Sequence, residues 1–188
     1  LTALVAGCKA EAPTTPAASS EAASAAASQA DARFAELSKR WLEGWLPLNP
    51  VSATQIGDHR FDAELDDVSA AGRQRALDFS KKILAELDAI DAGTLSRENQ
   101  VDAAILRTQL RGAIWSPETP QAWAGDPQGY NSLAGGAIYN LMAREFAPLP
   151  ERLKSATARM EKLPAMFVQM RANIDVARVP KIHAETVA

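Results

Sequence analysis

The spacing of large apolar residues constrains the fold of this 188-residue chain more than any other feature. From about residue 31 onward these residues recur three and four positions apart, which is the period of one face of an α-helix. No segment shows the alternation of apolar and polar residues that marks a half-buried strand. The sequence therefore predicts an all-α fold, built as an antiparallel array of helices.

Four stretches carry this period most clearly. They are Phe34, Leu37, Trp41, Trp45 and Leu48; Ala76, Phe79, Ile83, Leu87 and Ile90; Val101, Ile105, Leu106, Leu110 and Ile114; and Leu149, Leu153, Ala156, Met160, Leu163, Phe167, Met170 and Ile174. We predict that Pro47 and Pro50 terminate the first helix and that Gly93 ends the second as a left-handed cap. The third helix is predicted over 97–115, and Pro164 is predicted to break the fourth stretch into two helices. Because the link at Gly93 is short, we predict that the second and third helices are antiparallel neighbours.

Two other segments have weaker patterns. Residues 116–130 are rich in Pro, Gly and Trp and lack a period, so we predict an ordered surface loop there. Helical pattern resumes at Asn131 or Ser132, either of which can cap a helix. A last helix is predicted after Pro180.

Cys8, the only cysteine, closes the run Leu4-Val5-Ala6-Gly7-Cys8. A branched apolar residue three positions before the cysteine, with small residues between them, is the pattern of a bacterial lipobox, in which the cysteine becomes the acylated N-terminus. The preceding apolar stretch is far too short to cross a bilayer, so we interpret residues 1–8 as the end of a signal peptide that starts upstream. The alternative is that Cys8 is an ordinary buried small hydrophobe.

Residues 9–30 disfavour that alternative, because they contain no large apolar residue around which a core could form. Their Ala, Ser, Thr, Pro, Glu and Gln composition is typical of a disordered tether. We therefore predict that 9–30 links a lipid on Cys8, and through it a membrane, to a helical segment at 31–188. Lys9 follows the cysteine where an Asp is the usual inner-membrane retention signal, which favours the outer membrane and a periplasm-facing protein.

Charge and cysteine content exclude several functions. The chain has 20 basic and 23 acidic residues, so it lacks the cationic surplus expected of a nucleic-acid-binding protein. If Cys8 is acylated, no thiol remains for a disulfide, redox chemistry or metal ligation.

One segment concentrates residue types that can serve a site: Gly57, Asp58, His59, Arg60, Phe61 and Asp62. In a functional interpretation Asp58 fixes the tautomer of His59, and Arg60 holds a substrate carboxylate with two hydrogen bonds. In a structural interpretation, which the residues alone favour, Arg60 is tied between Asp58 and Asp62 while Phe61 fills the core. Under either interpretation, this segment is the candidate site.

No catalytic residue or metal ligand is predicted elsewhere. His183 and Glu185 have the His-x-Glu spacing of zinc deaminases, but those enzymes need a downstream Pro-Cys-x-x-Cys, which the chain lacks. The two histidines, His59 and His183, do not form a His-Glu-x-x-His motif. The sequence also lacks a Gly-x-Ser-x-Gly elbow, a phosphate-binding loop and a dinucleotide fingerprint.

The order of several short motifs resembles the N-terminal part of a bacterial family, domain of unknown function 885. The motifs are Phe34-x-x-Leu37-x-x-x-Trp41, Pro50-x-x-Ala53-Thr54, Gly57-Asp58-His59-Arg60-Phe61-Asp62, Asp126-Pro127-x-x-Tyr130, Ala147-Pro148-x-x-x-Arg152 and His183-x-Glu185-Thr186. Within the third motif Phe61 replaces a Tyr that is commoner in the family. The segment therefore lacks the phenolic hydroxyl that a Tyr would offer to a substrate or to a carboxylate.

Members of that family are longer, mostly helical and similar to gluzincin-type zinc metallopeptidases. Their zinc-binding segment, His-Glu-x-x-Pro-Gly-His, lies downstream of the region that this chain resembles. The resemblance implies that these residues are the non-catalytic N-terminal part of a larger, metallopeptidase-like domain, with zinc and a peptide substrate bound elsewhere in the full-length protein. It also places the 57–62 segment in one wall of a substrate channel. The alternative is a non-catalytic helical envelope lipoprotein that binds a peptide or protein partner.

Overall fold

The structure, a computed structural model, describes residues 17–187, with side chains described for 29–186. These residues form α-helices, short 3-10 turns and connecting loops, with no strand among them. The helices are α1 (Ala17–Trp45), α2 (Pro50–Ile56), α3 (Ala70–Asp88), α4 (Arg97–Glu118), α5 (Ala122–Gly125), α6 (Pro127–Met142), α7 (Leu149–Asn173) and α8 (Lys181–Val187). The all-α prediction is confirmed.

Helices α1, α3 and α4 pack together around one apolar core. Its buried residues are Ala30, Phe34, Leu37, Ile83, Leu87, Leu95, Ala103, Leu106 and Leu110. Two ion pairs show that α3 and α4 run antiparallel, since Lys81 reaches Glu118 at 2.6 Å and Asp88 meets Arg107 at 2.7 Å. This arrangement confirms the predicted pairing of the second and third apolar stretches.

Helices α2, α6 and α7 form a second packed group. Its buried residues include Val51, Ala53, Ala137, Leu141, Ala156, Met166 and Met170. A hydrogen bond of 2.6 Å from Arg73 Nη1 on α3 to Asn173 Oδ1 at the end of α7 links this group to the first. Asn173 in turn donates to the Val68 carbonyl and to the Tyr130 hydroxyl, so the link continues into α6.

The predicted left-handed cap at Gly93 is wrong. Helix α3 ends at Asp88, and Gly93 lies in a 3-10 turn, Ala92–Thr94. Asp91 caps that turn by accepting a hydrogen bond of 2.9 Å from the Gly93 N–H. The C-cap residue of α3 itself, Ala89, keeps a right-handed backbone (φ −78°) and donates its N–H to the Ala85 carbonyl at 3.2 Å, so the helix ends without a left-handed residue.

The predicted loop at 116–130 is largely helical. Helix α4 continues through Pro117, α5 covers Ala122–Gly125, and α6 begins at Pro127 rather than at Asn131 or Ser132. Asp126 accepts a hydrogen bond of 2.9 Å from the Gln128 N–H and so caps α6. A capping Asp followed by Pro in the first turn starts a helix strongly, and this signal outweighs the local glycines.

Helix α7 runs unbroken through Pro164, contrary to the predicted division. Pro164 lies on the exposed side of the helix, where water can bond to the carbonyl that its ring leaves without a partner. The predicted apolar stripe also splits between two faces. The buried face carries Arg152, Ala156, Arg159, Met166 and Met170, whereas the outer face carries exposed Leu149, Leu153, Met160 and Phe167.

The N-terminal predictions have separate outcomes. Cys8 and residues 9–16 lie outside the described residues. Residues 17–30, which the sequence assigns to the tether, lie in α1, which begins at Ala17. Alanine has the highest helix propensity, so this Ala-rich stretch can extend a helix that Phe34 and Leu37 anchor in the core. Within residues 17–187, no helix combines the length and hydrophobicity needed to span a bilayer.

Candidate functional site

The 57–62 segment begins where α2 ends. Gly57 takes φ of 95° in the left-handed region, and its N–H bonds to the Thr54 carbonyl at 3.2 Å. The next N–H, from Asp58, reaches back to the Ala53 carbonyl at 2.9 Å. A left-handed residue after the last turn is a common helix end, and glycine adopts it without the steric cost that a Cβ brings. Gly57 therefore turns the chain out of α2.

Arg60 lies on the surface and is paired with two carboxylates. Asp58 accepts from the Arg60 backbone N–H at 3.1 Å and from Arg60 Nη2 at 2.6 Å. Arg60 Nη1 donates to Glu43 of α1 at 2.8 Å. The predicted second partner, Asp62, is therefore wrong, and Glu43 takes its place. The hydrogen bond from Arg60 lowers the pKa of Asp58, while Asp58 first and Glu43 second raise the pKa of Arg60.

Asp62 points the other way, into the protein, and is only 7% exposed. Its Oδ1 accepts from the Thr54 hydroxyl at 2.6 Å, and its Oδ2 lies 2.9 Å from His59 Nδ1. The same Thr54 oxygen accepts a hydrogen bond of 2.7 Å from Arg159 on α7. A chain of polar contacts thus runs from His59 through Asp62 and Thr54 to Arg159.

Arg159 is the largest fully buried side chain in the described part of the chain, with 0% exposure. Its guanidinium donates to backbone carbonyls of three other elements: Glu64 at 2.9 Å, Ala137 at 2.8 Å and Pro50 at 3.1 Å. Burial lowers its pKa, an effect that nearby carboxylates, Asp62 first, oppose. Sequence reasoning missed this residue because it lies one position away from an apolar stripe that was assigned to the core.

Asp66 is a second carboxylate of this cluster and is half-buried. It accepts a hydrogen bond of 3.0 Å from the Val51 N–H in the first turn of α2. Burial raises the pKa of Asp66, and this effect exceeds the opposite ones from Val51 and from the charge of Arg159. We define the buried polar cluster as Thr54, Asp62, Asp66 and Arg159. It joins α2, α7 and the 57–62 segment.

His59 connects this cluster to the loop between α6 and α7. Its ring stacks on Phe146 with centroids 3.6 Å apart and an angle of 9° between planes. Phe61 is half-buried and lies beneath the Arg60 guanidinium at 5.4 Å, so it does not fill the core as predicted. The other histidine, His183 on α8, lies 3.4 Å from the Asp126 carboxylate and makes no hydrogen bond through Nδ1.

These contacts define what the segment can do chemically. Arg60 is already paired with Asp58 and Glu43, and Asp62 with Thr54 and His59. Across residues 17–187, no group of three or more His, Cys, Asp or Glu side chains could hold a metal ion. The described residues therefore do not fit a zinc site, and none of them is assigned a role in zinc-dependent chemistry.

A cavity of about 450 Å³ opens between α1, α3 and α4. Aromatic side chains of Trp41, Trp45 and Phe79 form much of its wall, and Arg73 is the one charged residue that lines it. Sequence reasoning placed both tryptophans on a buried stripe and so missed the cavity. Both are only half-buried.

The short motifs noted in the sequence coincide with structural junctions. Pro50 opens α2, and its carbonyl accepts from Arg159. Asp126 and Pro127 start α6, while Tyr130 donates to the Trp123 carbonyl at 2.7 Å. Buried Arg152 donates to the Leu141 and Met142 carbonyls at the C-terminal end of α6, where a positive charge is favourable, and to the Ala147 carbonyl in the loop that follows. These motifs fix helix ends and helix contacts.

The fold and this site thus define an all-helical protein in which charged side chains hold the helix junctions together. The chain belongs to a family described as bacterial protein of unknown function (DUF885), whose model matches residues 50–188. A solved structure of similar fold is "a putative lipoprotein of unknown function" from Shewanella oneidensis. It is 31% identical with a TM-score of 0.75, over 82% of this chain and 28% of that one. No curated protein matches significantly.

Proposed function

We propose that this chain is the non-catalytic N-terminal part of a lipid-anchored, periplasm-facing zinc-dependent peptidase. One observation carries the proposal: four-fifths of the chain matches only 28% of a much longer, similarly folded protein described as a lipoprotein. The reaction class comes from the similarity of the family to gluzincin-type zinc metallopeptidases, which the motif resemblance implies. The zinc ligands and the catalytic glutamate would then belong to another part of the full-length protein.

In this proposal the buried polar cluster has a supporting role. Arg159 and Arg152 hold the ends of α2 and α6 in place, and the 57–62 segment, fixed by Asp62, presents Asp58 and Arg60 at the surface. A rigid polar edge of this kind can form one wall of a channel for a peptide. No residue described here is assigned a catalytic role.

The test of peptidase function uses the full-length protein and, in parallel, the 188-residue chain. We expect about one zinc per full-length molecule and chelator-sensitive cleavage of peptides, because metal-activated water requires the ion. The 188-residue chain should have neither property, since its histidines lie on separate elements. Stoichiometric zinc in the shorter chain, or a full-length protein with neither metal nor activity, would overturn the peptidase proposal.

Lipid anchoring is tested separately with Cys8→Ser behind a complete signal sequence. The parent protein should partition into the detergent phase and fractionate with the outer membrane, whereas the variant should be released. An equally membrane-bound variant would contradict acylation at Cys8. Fractionation with the inner membrane would contradict only the proposed location.

A second candidate function is that of a non-catalytic envelope protein that binds a ligand. The aromatic cavity between α1, α3 and α4 favours it, because ligand pockets are typically apolar with a few polar groups. A full-length protein that binds a ligand but neither binds zinc nor cleaves peptides would support this candidate over the peptidase.

A further inference from the structure

The cavity between α1, α3 and α4 has the size and chemistry of a small-molecule site. Its volume of about 450 Å³ falls within the range of roughly 300 to 1,000 Å³ found for ligand pockets. Residues from all three helices contribute to the wall, including Trp41 on α1, Ala76 on α3 and Leu110 on α4. Since two tryptophans and a phenylalanine line it, the cavity favours a flat, apolar group.

The charges around the cavity are unbalanced. Its lining includes Arg73 but no Asp or Glu. Arg73 is half-buried and donates through Nη1 to the Val68 carbonyl and to Asn173, both uncharged. Within the described residues it forms no salt bridge, whereas Arg40, Arg60, Arg75 and Arg107 each have a carboxylate within 3 Å. Arg73 is therefore a partly desolvated cation without a counter-charge.

Two contacts place the Arg73 guanidinium close to the cavity. Its central carbon lies 4.0 Å over the Trp123 ring. The Trp123 indole N–H donates to the carbonyl of Pro117, and Pro117 is itself part of the wall. The cation therefore lies near the Pro117 end of the cavity, while Trp41 and Trp45 of α1 contribute the apolar surface.

We propose that this cavity binds a small aromatic or branched apolar monocarboxylate. The hydrocarbon part would occupy the space beside Trp41 and Trp45, and the carboxylate would face Arg73. An apolar group desolvates favourably against the aromatic wall, and an anion would supply the charge that Arg73 lacks. The proposal does not depend on peptidase activity.

The test compares three bicyclic probes of similar size by isothermal titration calorimetry on the full-length protein. They are 2-naphthoate, the neutral 2-naphthalenemethanol and the cationic 2-naphthylmethylamine. We expect 2-naphthoate to bind roughly tenfold more tightly than the alcohol, as one charge-assisted hydrogen bond would give, and the amine to bind most weakly. Equal binding of the three probes, or no binding of 2-naphthoate at millimolar concentration, would overturn the proposal.

Two variants locate the binding. Arg73→Gln should remove the preference for the acid over the alcohol, while the alcohol still binds and so reports an intact cavity. Ala113→Phe, at an exposed position of the wall, should fill the space and weaken both probes at least roughly tenfold. The matched control is Ala35→Phe, an exposed alanine of α1 outside the cavity. Unchanged 2-naphthoate binding by Ala113→Phe, or equal loss in the control, would refute the assignment.

Discussion

At the scale of single residues, Arg159 of the buried polar cluster and Arg60 of the 57–62 segment show how differently two arginines can act. Arg159 is fully buried, and four of its five hydrogen-bond acceptors are backbone carbonyls. Arg60 has a side chain 52% exposed and pairs with two surface carboxylates. Since charge pairs in water gain little while a buried donor is costly to remove, only Arg159 is expected to determine stability.

We expect Arg159→Met to reduce the free energy of unfolding by roughly 3 to 5 kcal/mol, as removal of one member of a buried charged network does. Methionine fills similar space, but carbonyls of α2 and α6 lose their donor, and Asp62 loses its nearby cation. Urea unfolding followed by circular dichroism measures the change. The control, Lys154→Met on the exposed side of the same helix, should stay within about 0.5 kcal/mol of the parent.

Arg60→Ala should change the free energy of unfolding only slightly, because its ion pairs are exposed and screened by solvent. Unfolding in low and high salt provides the measurement, and the small loss should shrink as salt rises. A loss as large as that of Arg159→Met would show that Arg60 supports the fold in a way that its contacts do not indicate. Normal stability with altered activity of the full-length protein would instead assign Arg60 to substrate binding.

Asp66 gives the cluster a defined pH dependence. Burial raises its pKa in the folded protein above the ordinary value near 3.8, so the folded state holds the proton more tightly than the unfolded state. Stability contributed by Asp66 is therefore present at low pH and decreases as pH rises from about 3.8 through the raised pKa. Asp66→Asn keeps an acceptor for the Val51 N–H but cannot ionise. The parent's stability should consequently fall relative to the variant across this interval in parallel urea titrations, and a constant difference would contradict the assignment.

At the scale of helices, two glycines test whether backbone conformation or space determines the choice of residue. A Cβ added at either Gly57 or Gly112 would meet no atom within 4 Å, but only Gly57 has a positive φ. We expect Gly57→Ala to destabilise by roughly 1 to 2 kcal/mol, the cost of a left-handed conformation. Gly112→Ala, inside α4, should stabilise by about 0.4 to 1 kcal/mol. Thermal unfolding of both variants gives the comparison, and a shift of equal sign in the two would contradict this explanation.

Helices were predictable where local signals agreed with burial. Ser96 caps α4 by accepting from the Asn99 N–H, and the start at Arg97 followed from the sequence. The predicted helix end at Gly93 and the predicted helix break at Pro164 were wrong because each was based on the residue type alone. In the first case α3 already ends with a right-handed backbone at its C-cap, Ala89, and in the second case solvent exposure makes a helical proline tolerable.

The sequence predicted which residues form the candidate site but not which partners hold them. The 57–62 segment is recognisable from its composition, but the partners that fix it lie far away in sequence. Glu43 is 17 positions before Arg60, and Arg159 is 105 positions after Thr54. Such pairings depend on which helix faces pack together, and periodicity does not determine this. Arg159 itself lies one position away from the predicted apolar stripe, where a charged residue is normally assigned to the surface.

At the scale of the whole molecule, the outer face of α7 remains uncovered by any described residue. Leu149, Leu153, Met160 and Phe167 are all more than 40% exposed along this face. We expect the 188-residue chain to self-associate reversibly through it, since contiguous exposed apolar surface favours association. Leu153→Glu combined with Phe167→Glu should make the chain monomeric in sedimentation velocity. The control pair, Lys154→Glu with Thr157→Glu, should leave association unchanged, and equal effects of the two pairs would exclude this face.

The position of Arg159 late in the chain has a consequence for the order of assembly. Its acceptors in α2 and in the 57–62 region precede it by 95 to 109 residues. During synthesis from the N-terminus, α1, α3 and α4 can pack as soon as residue 118 is available, because their core lies wholly within residues 30–110. The polar groups of Thr54, Asp62 and Asp66 must meanwhile stay in contact with water. Their burial becomes favourable only when α7 arrives. The 50–66 region is therefore synthesised before α3 and α4 but reaches its final environment only after those helices can pack.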